Sequence, residues 1–288
     1  MVDYRPINED DLEACVDVFY AADDDLMGRR ALPIMPRNRP PIVRLFAHIA
    51  KVSPHRAWVA ERNGEVIGFG MAAQRDEMTF LSFLFVRPDI QAQGVGRALL
   101  ERCMVGSNYR AVCIFSVQPI STALYARFDM IPLVPMYTFI GRPRHELPGL
   151  AKGFSLGDLA LDGAAGLDQE VAGFTRSVDH DAWLEWGRRP FGLYERDELV
   201  GYAYAHQSGR CGPLVVSRPE LLLPFLGEVT RAIEPADAWM VNVPGPAAET
   251  FSALLHAGFR LDGPPLIYCA SRPGIDHSRY LPSTYALP

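Results

Sequence analysis

The chain has 288 residues, of which 49% are hydrophobic and 22% charged, and its formal net charge is -6. At roughly 150 residues per domain, this length predicts about two domains, each long enough to bury a core. The acidic balance argues against nucleic-acid binding, which needs a basic face. No apolar run approaches the ~20 residues of a membrane span, and no basic segment leads into a hydrophobic one at the start, so we expect a cytoplasmic protein without a membrane partner.

The cysteines and histidines do not predict a metal site. Five cysteines are scattered without a C-x-x-C pair, and seven histidines are equally dispersed. We expect the cysteines to be buried as small hydrophobic residues and the protein to hold no metal.

The first part of the chain predicts a helix followed by an irregular segment. Asn8 or Asp10 can cap a helix that runs to about Tyr20, and the proline-rich residues 22–41 read as a loop on which specificity could depend. The acidic run Asp23–Asp25 in this loop has two readings, a solvated helix end or an electrostatic collar for a cationic amine. Both readings stay open at this point.

Two strands and a glycine-bearing loop follow. Asn63-Gly64, between two apolar segments, is a strong signal for a two-residue hairpin. Thr79 to Val86 reads as a central strand, and the spacing Gln91-x-x-Gly94-x-Gly96 then opens an amphipathic helix. Unpaired amides at a helix start bind phosphate, and glycines let a bulky anion approach the main chain. The spacing fits neither the dinucleotide fingerprint nor the nucleotide-triphosphate loop.

The remaining chain predicts a second copy of the first part. A strand Ala111–Val117, a helix from about Ile120 to Phe128 and an apolar segment Met130–Ile140 complete the first part. Residues 143–152 read as a linker, and residues 191–203 then echo residues 58–70 as a strand, a turn and a return strand with a Gly-aromatic pair.

The central strand and its loop resemble the coenzyme A loop of the GCN5-related N-acetyltransferase (GNAT) family. That family's signature is Arg/Gln-x-x-Gly-x-Gly/Ala after a strand ending in Val-x-Pro, and the residues that fall on it are Val86, Arg87, Pro88, Gln91, Gly94 and Gly96. The resemblance implies an α/β fold with a mixed α+β sheet, built as two tandem GNAT-like domains, each a mostly antiparallel sheet with helices on both faces.

In this interpretation the two copies differ in function. Residues 1–142 form an acetyl-CoA-binding domain and residues 153–288 a degenerate one. The second copy passes from Ser217–Glu220 directly into its helix, without a Gly-x-Gly loop to hold a pyrophosphate. We therefore expect only the first copy to bind acetyl-CoA.

The resemblance also implies site residues. The cofactor-binding residues would be Leu84, Val86, Gln91, Ala92, Gln93, Gly94, Val95, Gly96, Arg97 and Gln118. Tyr125 would be the general acid that protonates the leaving thiolate, and Glu77 is our choice of base, with Asp76 and Glu61 as alternatives. Gln118 stands where the family usually has asparagine, and Asp129-Met130 stands where it has Gly-Phe.

The implied function is transfer of an acetyl group from acetyl-CoA to a primary amine, by direct attack in a ternary complex. The sequence does not identify the acceptor, which would be a small-molecule or peptide amine. It also does not decide whether the protein forms a homodimer. Trp183 or Arg189 of the second copy could close one side of the acceptor cleft. The alternatives are a non-catalytic acyl-CoA-binding sensor or interaction module, and a structural interaction domain without a ligand. Whether the tail from Arg272 stays with its own copy or crosses to the other is also open.

Overall fold

A computed structural model describes residues 1–34, 36–106, 110–113, 116 and 118–287, with side chains for all of these except 110–113. The strands are β1 (Asp3–Pro6), β2 (Ala57–Arg62), β3 (Glu65–Arg75), β4 (Met78–Val86), β5 (Arg110–Cys113), β6 (Ile131–Gly141), β7 (Phe154–Gly157), β8 (Arg189–Glu195), β9 (Glu198–Ala205), β10 (Arg210–Val216), β11 (Trp239–Pro244), β12 (Arg260–Leu261), β13 (Leu266–Ala270) and β14 (Tyr280–Leu281). The α-helices are α1 (Leu12–Arg29), α2 (Arg39–Val52), α3 (Val95–Met104), α4 (Pro119–Ala126), α5 (Leu161–Val171), α6 (Ser177–Glu185), α7 (Leu222–Ala232) and α8 (Ala248–His256).

The predicted mixed α/β fold with two similar halves is confirmed, and the strands of both halves form one continuous sheet. Along its path the order is β1-β2-β3-β4-β5-β13-β6-β11-β10-β9-β8-β7, with β12 beside β6 and β14 beside β10. The hairpin at Asn63-Gly64 is also confirmed, with both residues at positive φ (54° and 81°), as the tight primed turn requires.

The two halves exchange strands at the centre of the sheet. β13, from the second half, lies between β5 and β6 of the first half and is antiparallel to both. β6 in turn continues past β13 to pair with β11 of the second half, from Met136 to Gly141. The division into residues 1–142 and 153–288 stays a prediction, but the hydrogen-bonded sheet runs across it.

Helix α1 is longer than the sequence pattern predicted. The expected end near Tyr20 was wrong, because the helix continues to Arg29 and its buried side continues through Ala22 and Asp23. The acidic run therefore lies within the helix, and an ion pair between Asp25 and Arg29 (2.6 Å) supports its last turn.

Helices α1 and α2 cover one face of the first half of the sheet over a set of phenyl rings. This phenyl cluster consists of Phe19, Phe46, Phe69, Phe83 and Phe85, with ring centroids 4.7 to 6.3 Å apart. Edge-to-face and tilted ring pairs of this kind add to the stabilisation from burial alone.

A buried ion pair connects the two halves on this face. Arg75 on β3 donates to the Asp179 carboxylate on α6 at 2.7 Å, and His48 on α2 lies 2.7 Å from the same carboxylate. Asp76 adds a second contact, because its carboxylate accepts from the Thr175 amide at 2.6 Å.

The tail contacts both halves. β14 pairs with β10 of the second half, and Tyr285 then shares a hydrogen bond of 2.9 Å with Thr138 on β6. Ala286 and Leu287, at the end of the described chain, are buried against the phenyl cluster of the first half.

Candidate functional site

The central strand β4 extends beyond the part that pairs with its neighbour β5 in the described residues. In the described residues the two strands pair in parallel only from Met78 to Leu81. A bulge follows at Ser82, because Ala72 of β3 faces Leu81 whereas Met71 faces Phe83. A bulge bends a strand, and the end of β4 stays with β3, whereas Ser116, the described residue beyond β5, is not in a strand. We call the resulting opening the β4–β5 gap.

The backbone of β4 turns polar groups into this gap. The Arg87 amide donates to the Ile67 carbonyl of β3 at 2.9 Å. Because hydrogen-bonded and non-hydrogen-bonded residues alternate in an antiparallel pair, the amides of Leu84 and Val86 point away from β3. The Val86 carbonyl accepts a hydrogen bond of 3.1 Å from the Gln91 side chain. The Val86 amide is therefore oriented toward anything that lies in the gap.

The loop after β4 forms an open backbone cradle at the start of α3. Ala92 and Gly94 have positive φ (63° and 85°), and α3 begins at Val95. A side chain at Gly94 would meet no atom within 4 Å, and one at Gly96 would lie 3.6 Å from Val86. The protein itself therefore does not fill the space beside these glycines, and the first-turn amides of α3 face it. Such a helix start favours a phosphate group.

Two glycines that sequence analysis did not single out hold α3 close to the sheet. A side chain at Gly70 of β3 would lie 2.8 Å from the Cys103 sulfur, and one at Gly68 would lie 3.3 Å from Leu99. Only glycine lets α3 approach β3 this closely. The signal was the Gly68-x-Gly70 pair on one face of a predicted strand.

The other loop residues surround the cradle. Gln93 donates to the Asp89 carbonyl (3.3 Å) and accepts from Arg62 (3.3 Å), so its side chain lies across the loop. Arg97 is exposed and pairs with Glu101 one turn along α3 at 2.8 Å. This pair can open at little cost, because exposed ion pairs contribute about 0–1 kcal/mol.

Tyr125 lies on the α3 side of the β4–β5 gap. It is 4% exposed and packs in one cluster with Leu81 of β4 and with Leu100 and Cys103 of α3. Gln118 precedes α4 at its N-cap position and is half-buried, and its carbonyl accepts from the Thr122 amide at 3.1 Å. The structure thus brings Leu84, Val86, Tyr125 and the 91–97 loop together around the gap.

The structure does not bring the predicted bases to the gap. Glu77 is exposed in the turn before β4, about 16 Å along the strand from Ser82. Glu61 pairs with Arg5 at 2.9 Å, and Asp76 holds Thr175. None of the three is placed to take a proton at the end of β4.

The predicted role of Trp183 in the cleft is also not supported. Trp183 is fully buried in the second half, beside Tyr202 and Tyr204, and Arg189 donates to the Ala232 carbonyl at 3.2 Å. Trp186 is the tryptophan that reaches the first half, with its ring 5.5 Å from that of His48.

The second half has the same kind of gap, and its own chain fills it. β10 pairs in parallel with β11 only at Arg210 and Cys211, and a register shift against β9 follows. From Leu214 onward β10 pairs instead with β14, which also contacts β11. The tail strand therefore occupies the position that stands open beside β4.

A buried polar network fixes β14 in this position. Arg176 donates to the hydroxyl of Tyr280 on β14 at 3.0 Å and to Asp168 at 2.9 Å. Asp168 also accepts from Tyr202 (2.5 Å) and lies 3.0 Å from His180. All five side chains are at most 4% exposed. Carboxyl and phenol oxygens thus surround the buried arginine, which ties β14 to the second half.

The start of α7 differs from that of α3 in charge as well as in shape. A short 3-10 turn, Pro219–Leu221, leads into α7 without a residue at positive φ. The shallow pocket between the starts of α7 and α8 contains the carboxylates of Glu220 and Glu249. Carboxylates at this position disfavour a phosphate.

The described residues contain no group of three His, Cys, Asp or Glu side chains that could hold a metal ion. Within the same residues, no helix is both long and apolar enough to cross a membrane. Cys15, Cys103, Cys211 and Cys269 are free and buried, as predicted.

A known family model matches part of the first half of the chain. The family model described as the acetyltransferase (GNAT) family matches residues 24–130, the stretch that contains β4, its loop and Tyr125. Residues 24–130 are thus similar in sequence to the GNAT family. No curated protein matches the sequence.

Solved structures share the fold over nearly the whole chain. A Pyrococcus horikoshii protein provisionally named an acetyltransferase has a TM-score of 0.79 at 17% identity, covering 100% of this chain and 96% of its own. A GCN5-related N-acetyltransferase from Sphaerobacter thermophilus has a TM-score of 0.61 at 16% identity, covering 96% and 98%. A tandem GNAT protein from the clavulanic acid biosynthesis pathway has a TM-score of 0.57 at 16% identity, covering 95% and 100%. The chain therefore has a tandem GNAT fold.

Proposed function

We propose that the chain is an N-acetyltransferase that transfers an acetyl group from acetyl-CoA to a primary amine of a small molecule or peptide. The observation that carries the proposal is the β4–β5 gap, which opens directly at the glycine cradle of α3. A pyrophosphate on the first-turn amides would leave the pantetheine arm to lie along β4, where the Leu84 and Val86 amides can bind it as a ladder partner.

The second half supports this path for the arm. There a segment of the chain itself, β14, pairs with β10 beyond the bulge as an added strand. The proposal therefore assigns one acetyl-CoA per chain, bound by the GNAT domain, whereas the second half keeps its gap closed with its own backbone.

In this proposal two groups of the protein act on the reacting atoms, the Val86 amide and the Tyr125 hydroxyl. The Val86 amide donates to the thioester carbonyl and stabilises the negative charge that develops on this oxygen as the amine attacks. The uncharged amine nitrogen forms a bond to the carbonyl carbon and the carbon–sulfur bond breaks, and the nitrogen then loses one proton, which replaces the proton that Tyr125 gives up. Tyr125 gives its proton to the departing thiolate, because an ordinary phenol is protonated at neutral pH.

We expect Gly94→Asp to weaken acetyl-CoA binding by about 100-fold or more, equal to about 2.7 kcal/mol. The aspartate would place a negative charge in the cradle and a side chain in the space left for the pyrophosphate. Isothermal titration of acetyl-CoA would measure this, with one site per chain expected for the wild type.

Gly106→Asp is the matched control. Gly106 follows α3, also has positive φ (71°), and also has open space around it. The two variants share the backbone strain and the added charge, so only the Gly94 variant should lose binding. Two sites per wild-type chain would contradict the closed second gap, and a wild type that does not bind would contradict the proposed function.

We expect Tyr125→Phe to lower turnover by ~100-fold or more, within the range of general acid catalysis, and to leave acetyl-CoA binding unchanged. The ring would keep its packing, and only the proton donor would be lost. Thiol release from acetyl-CoA with a panel of primary amines would measure turnover. Tyr137→Phe is the control, because Tyr137 packs on Phe251 of the second half. An unchanged rate in the Tyr125 variant would exclude it as the acid, and a wild type that binds acetyl-CoA but acetylates no amine would favour a non-catalytic acyl-CoA-binding module.

A further inference from the structure

Asp23 differs from the other buried aspartates of the described residues. Asp11 pairs with Arg5 at 2.6 Å, Asp168 with Arg176 at 2.8 Å and Asp179 with Arg75 at 2.5 Å. Asp23 is also buried, at 9% exposure, but its Oδ2 atom has no hydrogen-bond partner among the described residues.

The structure also resolves the two readings of the acidic run. Asp24 pairs with Arg37 at 2.6 Å, and Asp25 pairs with Arg29 at the same distance. Arginines thus neutralise two of the three carboxylates, so the acidic run as a whole is not free to bind an amine. Of the three, only Asp23 has no cation beside it within the described part of the chain.

The course of α1 places Asp23 toward the β4–β5 gap. α1 packs on β3 and β4, and its Phe19 ring contacts that of Phe85, near the end of β4, at 5.0 Å. Asp23 lies one helical turn beyond Phe19 on the same side, because residues four apart on a helix are neighbours. Phe19 and Phe85 are only partly buried, so this end of the phenyl cluster is not closed.

A buried carboxylate without a partner is costly to keep charged. Burial, with Asp24 as a further negative neighbour, raises the pKa of Asp23 above its ordinary value. A bound cation would lower this cost, as arginine does for the other buried aspartates.

We propose that Asp23 receives the ammonium group of the acceptor and takes its proton before the attack. This step rests on the proposed function. The proton moves from nitrogen to the Asp23 carboxylate, and the freed lone pair then forms the bond to the acetyl carbon. Because the partly buried rings of Phe19 and Phe85 form this end of the phenyl cluster, we expect the acceptor to be a primary amine on an apolar stem.

Binding of matched amine and alcohol pairs would test this. 2-Phenylethylamine with 2-phenylethanol, and n-butylamine with n-butanol, would be titrated into protein saturated with coenzyme A. In the wild type we expect the amine of at least one pair to bind ten-fold or more tightly than its alcohol. Asp23→Asn should abolish this preference, and Asp17→Asn should keep it, because Asp17 is an exposed α1 residue paired with Arg39.

Thermal unfolding separates this role from a structural one. Asp23→Asn should leave the melting temperature equal or raised, because the amide has no charge to bury, whereas a structural role predicts a lower one. A preference that survives in Asp23→Asn, or is missing for both pairs in the wild type, would overturn the inference. Titration of acetyl-CoA into the same samples separates the two proposals, because a wild type that binds acetyl-CoA without preferring amines refutes only the role of Asp23.

Discussion

Replacing Asp179 by alanine is expected to lower the free energy of unfolding by about 3–5 kcal/mol, the usual result of removing one partner of a buried ion pair. Asp179 is fully buried and Arg75 is 4% exposed. The variant would leave the guanidinium of Arg75 buried without its carboxylate, and His48 would lose the same partner. Because these groups come from both halves, the contact between the halves should weaken first. Urea unfolding would measure the change.

Two controls define the cause of this loss. Asp181→Ala, an exposed position on the same helix, should change stability little. Asp179→Ala combined with Arg75→Met should recover part of the loss, since no unpaired charge remains. A single variant as stable as the wild type would show that water reaches Arg75.

Lowering the pH should remove the stabilisation that the Asp179 carboxylate provides. Burial alone would raise the pKa of Asp179, but Arg75 and His48 hold it below its ordinary value of 3.8. The carboxylate therefore contributes its full stabilisation above about pH 4 and loses it as the pH falls through its lower folded-state pKa. The wild type and Asp179→Ala should converge in stability below pH 4.

Asp168→Asn is expected to destabilise the second half by a similar amount, about 3–5 kcal/mol. Arg176 is fully buried, and Asp168 holds the pKa of this guanidinium above its ordinary value although burial opposes it. The asparagine would leave this charge unpaired. Because Arg176 also holds Tyr280, amide exchange at the β14 residues Tyr280 and Leu281 should become faster.

Asp162→Asn is the matched control, because Asp162 is exposed at the start of the same helix α5. Arg176→Gln in the Asp168→Asn background should restore part of the stability. Unchanged exchange of β14 in a destabilised variant would show that the tail strand does not depend on this network.

Local chemistry made part of the structure predictable. Asn63-Gly64 defines its hairpin, and Gln91, Gly94 and Gly96 define the loop before α3, because each pattern acts over a few residues. Val86 was predicted from the same loop motif and Tyr125 from the family resemblance, and the roles of both stay predictions. The end of α1 was missed because three consecutive aspartates suggested a solvated end, whereas Asp23 is buried and the other two are paired with arginines.

Long-range pairing was not predictable. Nothing local in Leu266–Ala270 indicates that this strand joins β5 rather than its own half, since any apolar strand can pair with any open edge. The same limit applies to Tyr280-Leu281, whose partner β10 is far away in the chain. Glu77 was chosen as a base from its place in the sequence, and only the register of β4 shows how far it lies from the gap.

Because the two halves exchange strands, the first half cannot complete its part of the sheet until the second half has been synthesised. β5 pairs with β4 next to the candidate site, and its outer neighbour β13 is made about 150 residues later. Until then the nascent first half presents β5 as an exposed edge, which is a hazard for wrong pairing. A ribosome that stops early would release a chain in which β5 lacks its outer neighbour, so the sheet beside the candidate site is complete only after β13 has been made.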